Sequence, residues 1–260
     1  MARTETKATN TQIQSRGHLF ESFNSIYNDE KISKVDLFQN LGIFTRCSVL
    51  TKLLFINEIY EMILDQPGII IELGVHLGQN LVTFENLRAL YEPWNQNRRI
   101  VGFDTFTQAG YASRSEIDGT SEEITGGGYK LPSAYIQTLD SLLKYHENDH
   151  ILSNIRKTSL VVGDVVETLP QYFDDNKGDF VALAYFDLAT YLPTKKSLET
   201  LLPHLCPGSI LLMDELNFKQ YPGASIAFKE FVMDNLIDYE IKASRFMKDR
   251  SIIIYKGKRG

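Results

Sequence analysis

The chain has 260 residues, 43% of them hydrophobic, enough for one sizeable core of the kind that α/β domains build at this length. Its 27 basic and 33 acidic residues give a formal charge of −6 without long single-sign blocks, which excludes the basic stripe of a dedicated nucleic-acid binder. Two cysteines without ligand spacing (Cys47 and Cys206, both read as lying in or near the core), no apolar leader and no apolar window of about 18 residues point to a soluble cytoplasmic protein with no membrane span.

Residues 1 to about 17 are polar, and termini of that composition fray. From Leu19 to Leu64 apolar residues recur mostly at three- and four-residue spacing, as in VLTKLLFINEIYEMIL, which predicts a helical extension over 1–65 ahead of a main domain over 66–260. The chain then alternates. Apolar runs at 69–75, 99–103, 158–162, 180–186 and 209–213 are mostly separated by helical patterns such as NLVTFENLRALYE, SAYIQTLDSLLKYHE, VVETLPQYF and TKKSLETLLPHL. Near-continuous apolar strands separated by helices predict an α/β fold with a parallel sheet covered on both faces. A helix over about 222–236 and two strand-like runs near 238–246 and 250–256 close the chain. A mostly parallel seven-stranded sheet ending in an antiparallel pair resembles the layout of the Rossmann-like class I methyltransferases.

One stretch breaks the alternation. Residues 105–132 contain TQAGYASRSEIDGTSEEITGGGYKLP, polar and glycine-rich, and follow the second strand where a ligand would sit. A loop of this length in a compact domain reads as a lid over the site. Arg114 and Lys130 within it can meet a substrate diphosphate, although loop cations are more often simply solvated.

Open α/β sheets bind ligands beyond the carboxyl ends of their strands. The first such loop is Glu72-Leu73-Gly74-Val75-His76-Leu77-Gly78. A dinucleotide fingerprint needs G-x-G-x-x-G, whereas this loop has G-x-x-x-G preceded by an acid. That acid repels a pyrophosphate but suits the ammonium and sulfonium of S-adenosylmethionine. His76 either lines the methionine pocket or packs under the loop. Asp104 ends the second strand and can accept from ribose hydroxyls; Asp164 follows the third and can reach the adenine end. Each also suits a turn or helix cap. Three acids at three successive strand ends favour one common ligand.

Two later strands end in acids of a different use. The run into YFDLATYLPT places Asp187 at the fourth strand's tip, and ILLMDELN places Asp214 and Glu215 at the fifth. Neighbouring strands lie about 4.8 Å apart, so three carboxylates would converge and repel unless a cation sits among them. An all-oxygen set suits Mg²⁺. Such an ion would activate and align a hydroxyl for methyl transfer, with Asp187 as ligand and base, and a vicinal diol is the expected acceptor.

Together, ELGVHLGQN, GFDTF, GDVVETLP, Asp187-x-x-x-Tyr191-x-x-Thr194, LPHLCPGSILLMDE and PGASIAFKEF resemble the macrocin O-methyltransferase family of metal-dependent sugar O-methyltransferases. The segment FENLRALYEPWNQNRRIVGFDTF is similar to the branch acting on nucleotide-activated deoxysugars such as a dTDP-rhamnose. The resemblance runs from about residue 50 to 235. It implies metal ligands at Asp187, Asp214 and Glu215, and cofactor contacts at Glu72, Gly74, Asp104 and Asp164, with His76 and Gly78 in the same loop. Two positions depart from the family pattern: Ala189 stands where many members have a second Asp, and Glu215 where many have Asp. Tyr191 and Thr194 follow Asp187 and can orient it, although a helix N-terminus explains Thr194 equally well. His146, His150 and His204 read as solvated or capping, His150 serving as a base only beneath a folded lid. The expected activity is Mg²⁺-dependent transfer from S-adenosylmethionine to a hydroxyl of a dTDP-linked deoxysugar. Methylation of a catechol-type diol and a non-catalytic sugar-nucleotide-binding role stay open beside it. The N-terminal helices leave open both packing on their own sheet and packing on a second subunit.

Overall fold

The computed structural model describes residues 10–29, 31–106, 113–119, 131–132, 134–219 and 222–259. The chain divides into two compact units, Met1–Lys52 and Leu53–Gly260. The first contains α1 (Asn10–Tyr27), α2 (Lys34–Gln39), a 3-10 turn (Leu41–Phe44) and the start of α3 (Cys47–Met62). Ser33 caps α2, its Oγ accepting from the Asp36 N–H at 3.1 Å. Phe23, Tyr27 and Phe44 form a three-ring cluster with centroids 5.4 to 5.7 Å apart. Cys47, expected near the core, is exposed instead. It opens α3, where the helix has not yet reached buried packing.

The second unit is built on seven strands: β1 (Ile69–Leu73), β2 (Ile100–Asp104), β3 (Thr158–Val162), β4 (Val181–Phe186), β5 (Leu205–Met213), β6 (Ile237–Ala243) and β7 (Ser251–Lys258). Their order is β3-β2-β1-β4-β5-β7-β6, with β7 antiparallel to both its neighbours and the other pairings parallel. This is the predicted architecture. The helices of this unit are the rest of α3, α4 (Gln79–Tyr91), α5 (Tyr135–Asn148), α6 (Val165–Asp175), α7 (Tyr191–Leu201) and α8 (Pro222–Asp234).

Strand alternation sorts the core into two layers. Ile69, Ile71 and Leu73 pack with Leu169 and Phe173 of α6, Leu198 of α7 and Phe231 of α8. Ile70 packs with Phe55 and Ile59 of α3, Phe84 of α4 and Leu143 of α5 on the opposite face. All five residues of β1 are buried, the three isoleucines and Leu73 giving the apolar run that only Glu72 interrupts. Among the described residues, no helix is long and apolar enough to cross a membrane.

Within the expected lid, residues 107–112 and 120–130, Lys130 among them, lie outside the described residues. Residues 113–119 form a short strut with a 3-10 turn (Glu116–Asp118). Asp118 is fully buried, accepting from the Tyr191 N–H through Oδ1 and from the Ser115 N–H through Oδ2. Arg114 is exposed. This described piece is therefore an anchor tied to the start of α7.

Candidate active site

The parallel ladder runs one residue past the strands. Gly163 donates to the Asp104 carbonyl at 3.0 Å, Gly74 to Phe103 at 2.9 Å, Asp187 to Leu73 at 2.9 Å and Asp214 to Phe186 at 3.1 Å. Asp104, Gly74, Asp187 and Asp214 thus stand in one row across the carboxyl ends of four adjacent strands. The hydrophobic registers below them dictate this placement, because each of these residues follows directly on a strand's last core residue or closes it.

The loop after β1 turns on three left-handed residues, Gly74 (φ 94°), His76 (φ 50°) and Gly78 (φ 80°). A Cβ on Gly74 would sit 2.2 Å from the Asp187 carbonyl oxygen, and one on Gly78 would meet Leu139 at 2.3 Å. His76 therefore occupies the middle of an alternating series for which glycine is the easiest residue. Its N–H donates to Asp104 Oδ2 at 2.8 Å, while Asp104 Oδ1 accepts from Phe106 N–H at 2.8 Å. Asp104 locks two loops together in addition to facing the site. Beneath the loop, Glu72 is buried, and Asn80 in the first turn of α4 donates to its Oε1 at 2.7 Å. Asp164 is the N-cap of α6, accepting from Val166 N–H at 3.0 Å, and its Oδ2 accepts from the Ser113 hydroxyl of the strut.

Asp187, Asp214 and Glu215 do converge: one ligand oxygen from each lies within 4.8 Å of the others. Burial, the charges of Asp187 and Asp214, and a hydrogen bond with Asp187 push the Glu215 carboxyl well above the usual carboxylate range. Two further side chains complete the cluster. The buried Tyr185 hydroxyl donates to Asp214 Oδ1 at 2.8 Å, and Arg250 Nε lies 2.7 Å from the same oxygen. Burial, followed by the charges of Asp214 and Asp187, raises the Tyr185 phenol far above its ordinary value, so it remains a donor.

Sequence reasoning missed both partners. Tyr185 had a signal: a tyrosine in a fully buried strand must find a polar partner for its hydroxyl. Arg250 had none that could be read locally. It reaches the cluster because Ser251 pairs with Met213 in the antiparallel β5–β7 register, which sets residue 250 beside 214.

Tyr191 and Thr194 do not orient Asp187. The Tyr191 hydroxyl donates to Glu230 at 2.6 Å, and the buried Thr194 hydroxyl donates to the Thr190 carbonyl at 2.7 Å. The helical period turns both away from the strand tip. His150 is also removed from the site. It follows α5, which returns to the amino ends of the strands before β3, and its Nδ1 lies 3.2 Å from Glu85.

Solved structures resemble the chain over nearly its whole length. CalS11, described as a calicheamicin methyltransferase, is 33% identical with a TM-score of 0.85, the match covering 95% of this chain and 93% of that one. An apo structure of CalS11, described there as a TDP-rhamnose 3'-O-methyltransferase of calicheamicin biosynthesis, gives 32% identity and a TM-score of 0.78 over 95% of each chain. The O-methyltransferase NovP shares the fold at 17% identity and a TM-score of 0.59, over 80% of each chain. No protein-family model and no curated protein matches the chain.

Proposed function

The chain belongs to the macrocin O-methyltransferase-like class of sugar O-methyltransferases, and we propose that it methylates a hydroxyl of a TDP-linked deoxysugar from S-adenosylmethionine with the help of Mg²⁺. The observation that carries this reading is the convergence of Asp187, Asp214 and Glu215 within 4.8 Å, directly beside the glycine turn of β1. An all-oxygen donor set of crowded carboxylates, one of them driven toward its neutral form by burial and by the charges of the other two, suits a hard divalent cation. Mg²⁺, when bound, lowers the pKa of a neighbouring hydroxyl and fixes its position.

The chain's own residues divide the remaining work. Gly74, His76 and Gly78 shape the turn against which S-adenosylmethionine would lie. Glu72, buried beneath it, favours the cationic methionine end. Asp104 and Asp164 each retain acceptor capacity beyond their backbone bonds, Asp104 for the ribose and Asp164 for the adenine side. Asp187 takes the hydroxyl proton. The hydroxyl oxygen bonds to the methyl carbon as the carbon–sulfur bond breaks, and the electron pair leaves with sulfur as S-adenosylhomocysteine. The sugar nucleotide is assigned by likeness to CalS11, itself described as acting on TDP-rhamnose.

The test is incubation of the purified protein with S-adenosylmethionine, Mg²⁺ and a panel of TDP-deoxysugars, with product mass as the readout. One added methyl on a sugar nucleotide is expected, lost on chelation and restored by Mg²⁺. In the same assay Asp187→Asn should lower turnover by about 100-fold or more, as loss of a general base does. Its S-adenosylhomocysteine affinity, measured by calorimetry, should change little. Turnover of a catechol but of no sugar nucleotide would replace the substrate assignment, and ligand binding without turnover would make the chain a binding protein.

A further inference from the structure

A protein cation stands against one of the three carboxylates. Arg250 Nε lies 2.7 Å from Asp214 Oδ1, and the arginine side chain is 17% exposed against 10% for the aspartate. A pair this covered is screened far less than a surface pair. The contact is an ion pair rather than an aligned hydrogen bond, since the Arg250 Nε–H finds no acceptor along its own direction. Arg250 is held from other sides as well. Its Nη1 lies 2.9 Å from Asp249, its guanidinium rests 5.4 Å from the Phe218 ring centroid, and its backbone N–H donates to Met247 at 3.2 Å.

Tyr185 donates to the very oxygen that Arg250 faces. The two groups reach Asp214 from different strands, β4 and the start of β7, and both spend themselves on Oδ1. The directional Tyr185 bond and the Arg250 charge both favour Oδ1, and among the described residues Oδ2 carries no hydrogen bond. From this we infer that Arg250 is a positioning residue for the metal, presetting Asp214 as a one-oxygen ligand and offsetting the repulsion among the three acids before the ion arrives. Outer groups that hold a ligand in place commonly set metal affinity by about 10–100-fold. The opposite expectation is equally concrete: a fixed positive charge that only repelled the ion would weaken binding, and its removal would tighten it.

The inference rests on the metal reading above, so the experiment separates the two. Mn²⁺ is titrated into the full chain, and free Mn²⁺ is followed by electron paramagnetic resonance for wild type, Arg250→Ala and Arg250→Lys. S-Adenosylhomocysteine affinity is measured on each variant by calorimetry. Arg250→Ala should weaken Mn²⁺ binding by about 10–100-fold. Because the contact is a charge contact and not a planar fork, Arg250→Lys should recover most of the loss. S-Adenosylhomocysteine binding should stay unchanged in both. Saturable Mn²⁺ binding by wild type with equal or tighter binding by Arg250→Ala overturns the role of Arg250 alone. A parallel loss of S-adenosylhomocysteine affinity would make Arg250 a structural residue. Absence of saturable Mn²⁺ binding in wild type overturns the metal reading and this inference with it.

Discussion

At the scale of single residues, the turn after β1 asks opposite things of neighbouring positions. Gly74 leaves no room for a side chain, because a Cβ would stand 2.2 Å from the backbone of Asp187. Gly74→Ala should cost about 1–3 kcal/mol in stability from its left-handed backbone alone. It should also lower turnover by about 100-fold by displacing Asp187. His76→Gly, at the neighbouring left-handed position, should keep the fold and gain slightly in thermal midpoint, since an L-residue there carries a strain of about 1 kcal/mol. Thermal melts and kcat for both variants check the contrast. Most of the candidate site was legible because Asp104, Asp187 and Asp214 each terminate an apolar run, and a run's end is visible in sequence. His76 was legible as a position but not as a conformation: the fragment reads G-x-x-x-G, and only the backbone shows the third left-handed turn between the glycines. Ala189 poses the same puzzle, since it is buried at φ 58° where Asn or Asp would sit more easily.

At the scale of elements, strands were easier to read than what fastens helices to them. The run predicted at 209–213 begins at Leu205, and its first half is hidden by Pro207 and Gly208, where pairing with β4 jumps from Val181↔Leu205 to Leu183↔Ile210. Helix α4 carries a feature that no periodicity reveals. Glu85 and Arg88 are fully buried and joined by two bonds, Nε–Oε2 at 2.8 Å and Nη2–Oε1 at 2.9 Å, with His150 closing on Glu85 from beyond α5. By pattern these charges belong on a solvated face, yet the helix is covered on that side by the end of the α5 crossover. Arg88→Leu would strand a buried carboxylate and should destabilise by about 3–5 kcal/mol. The double variant Glu85→Leu/Arg88→Leu should recover a large part of that loss in urea unfolding.

At the scale of the whole molecule, stability should depend on acid through ties that join α3 and the approach to β1 with the segment before β2. Glu92 binds Arg98 at 2.9 Å and accepts from the Tyr60 hydroxyl at 2.6 Å, while Arg98 also donates to the carbonyls of Ile63, Gln66 and Gly68. Burial alone would raise the Glu92 pKa, but hydrogen bonds from Arg98 and Tyr60 and the charge of Arg98 outweigh it and hold the carboxyl below its ordinary value. A depressed carboxylate contributes stability that is fully present above the unfolded value and is lost as pH falls through the folded one. Glu92→Gln should therefore cost stability at neutral pH and cost progressively less in acid, the two urea midpoints converging as the carboxyl protonates. The overall fold was legible because the central strands of its sheet, β1 and β4, are fully buried runs. The ties of Glu92 and Arg98 to residues 60–68 were not, since they join residues up to 35 positions apart. The antiparallel β5–β7 pairing, which sets Ser251 beside Met213, also has a second meaning. A slip of one residue along β7 would bring Asp249 where Arg250 now stands, setting a fourth acid against Asp187, Asp214 and Glu215. A slipped alignment would therefore carry a like-charge penalty at the carboxyl end of the sheet that the observed one avoids.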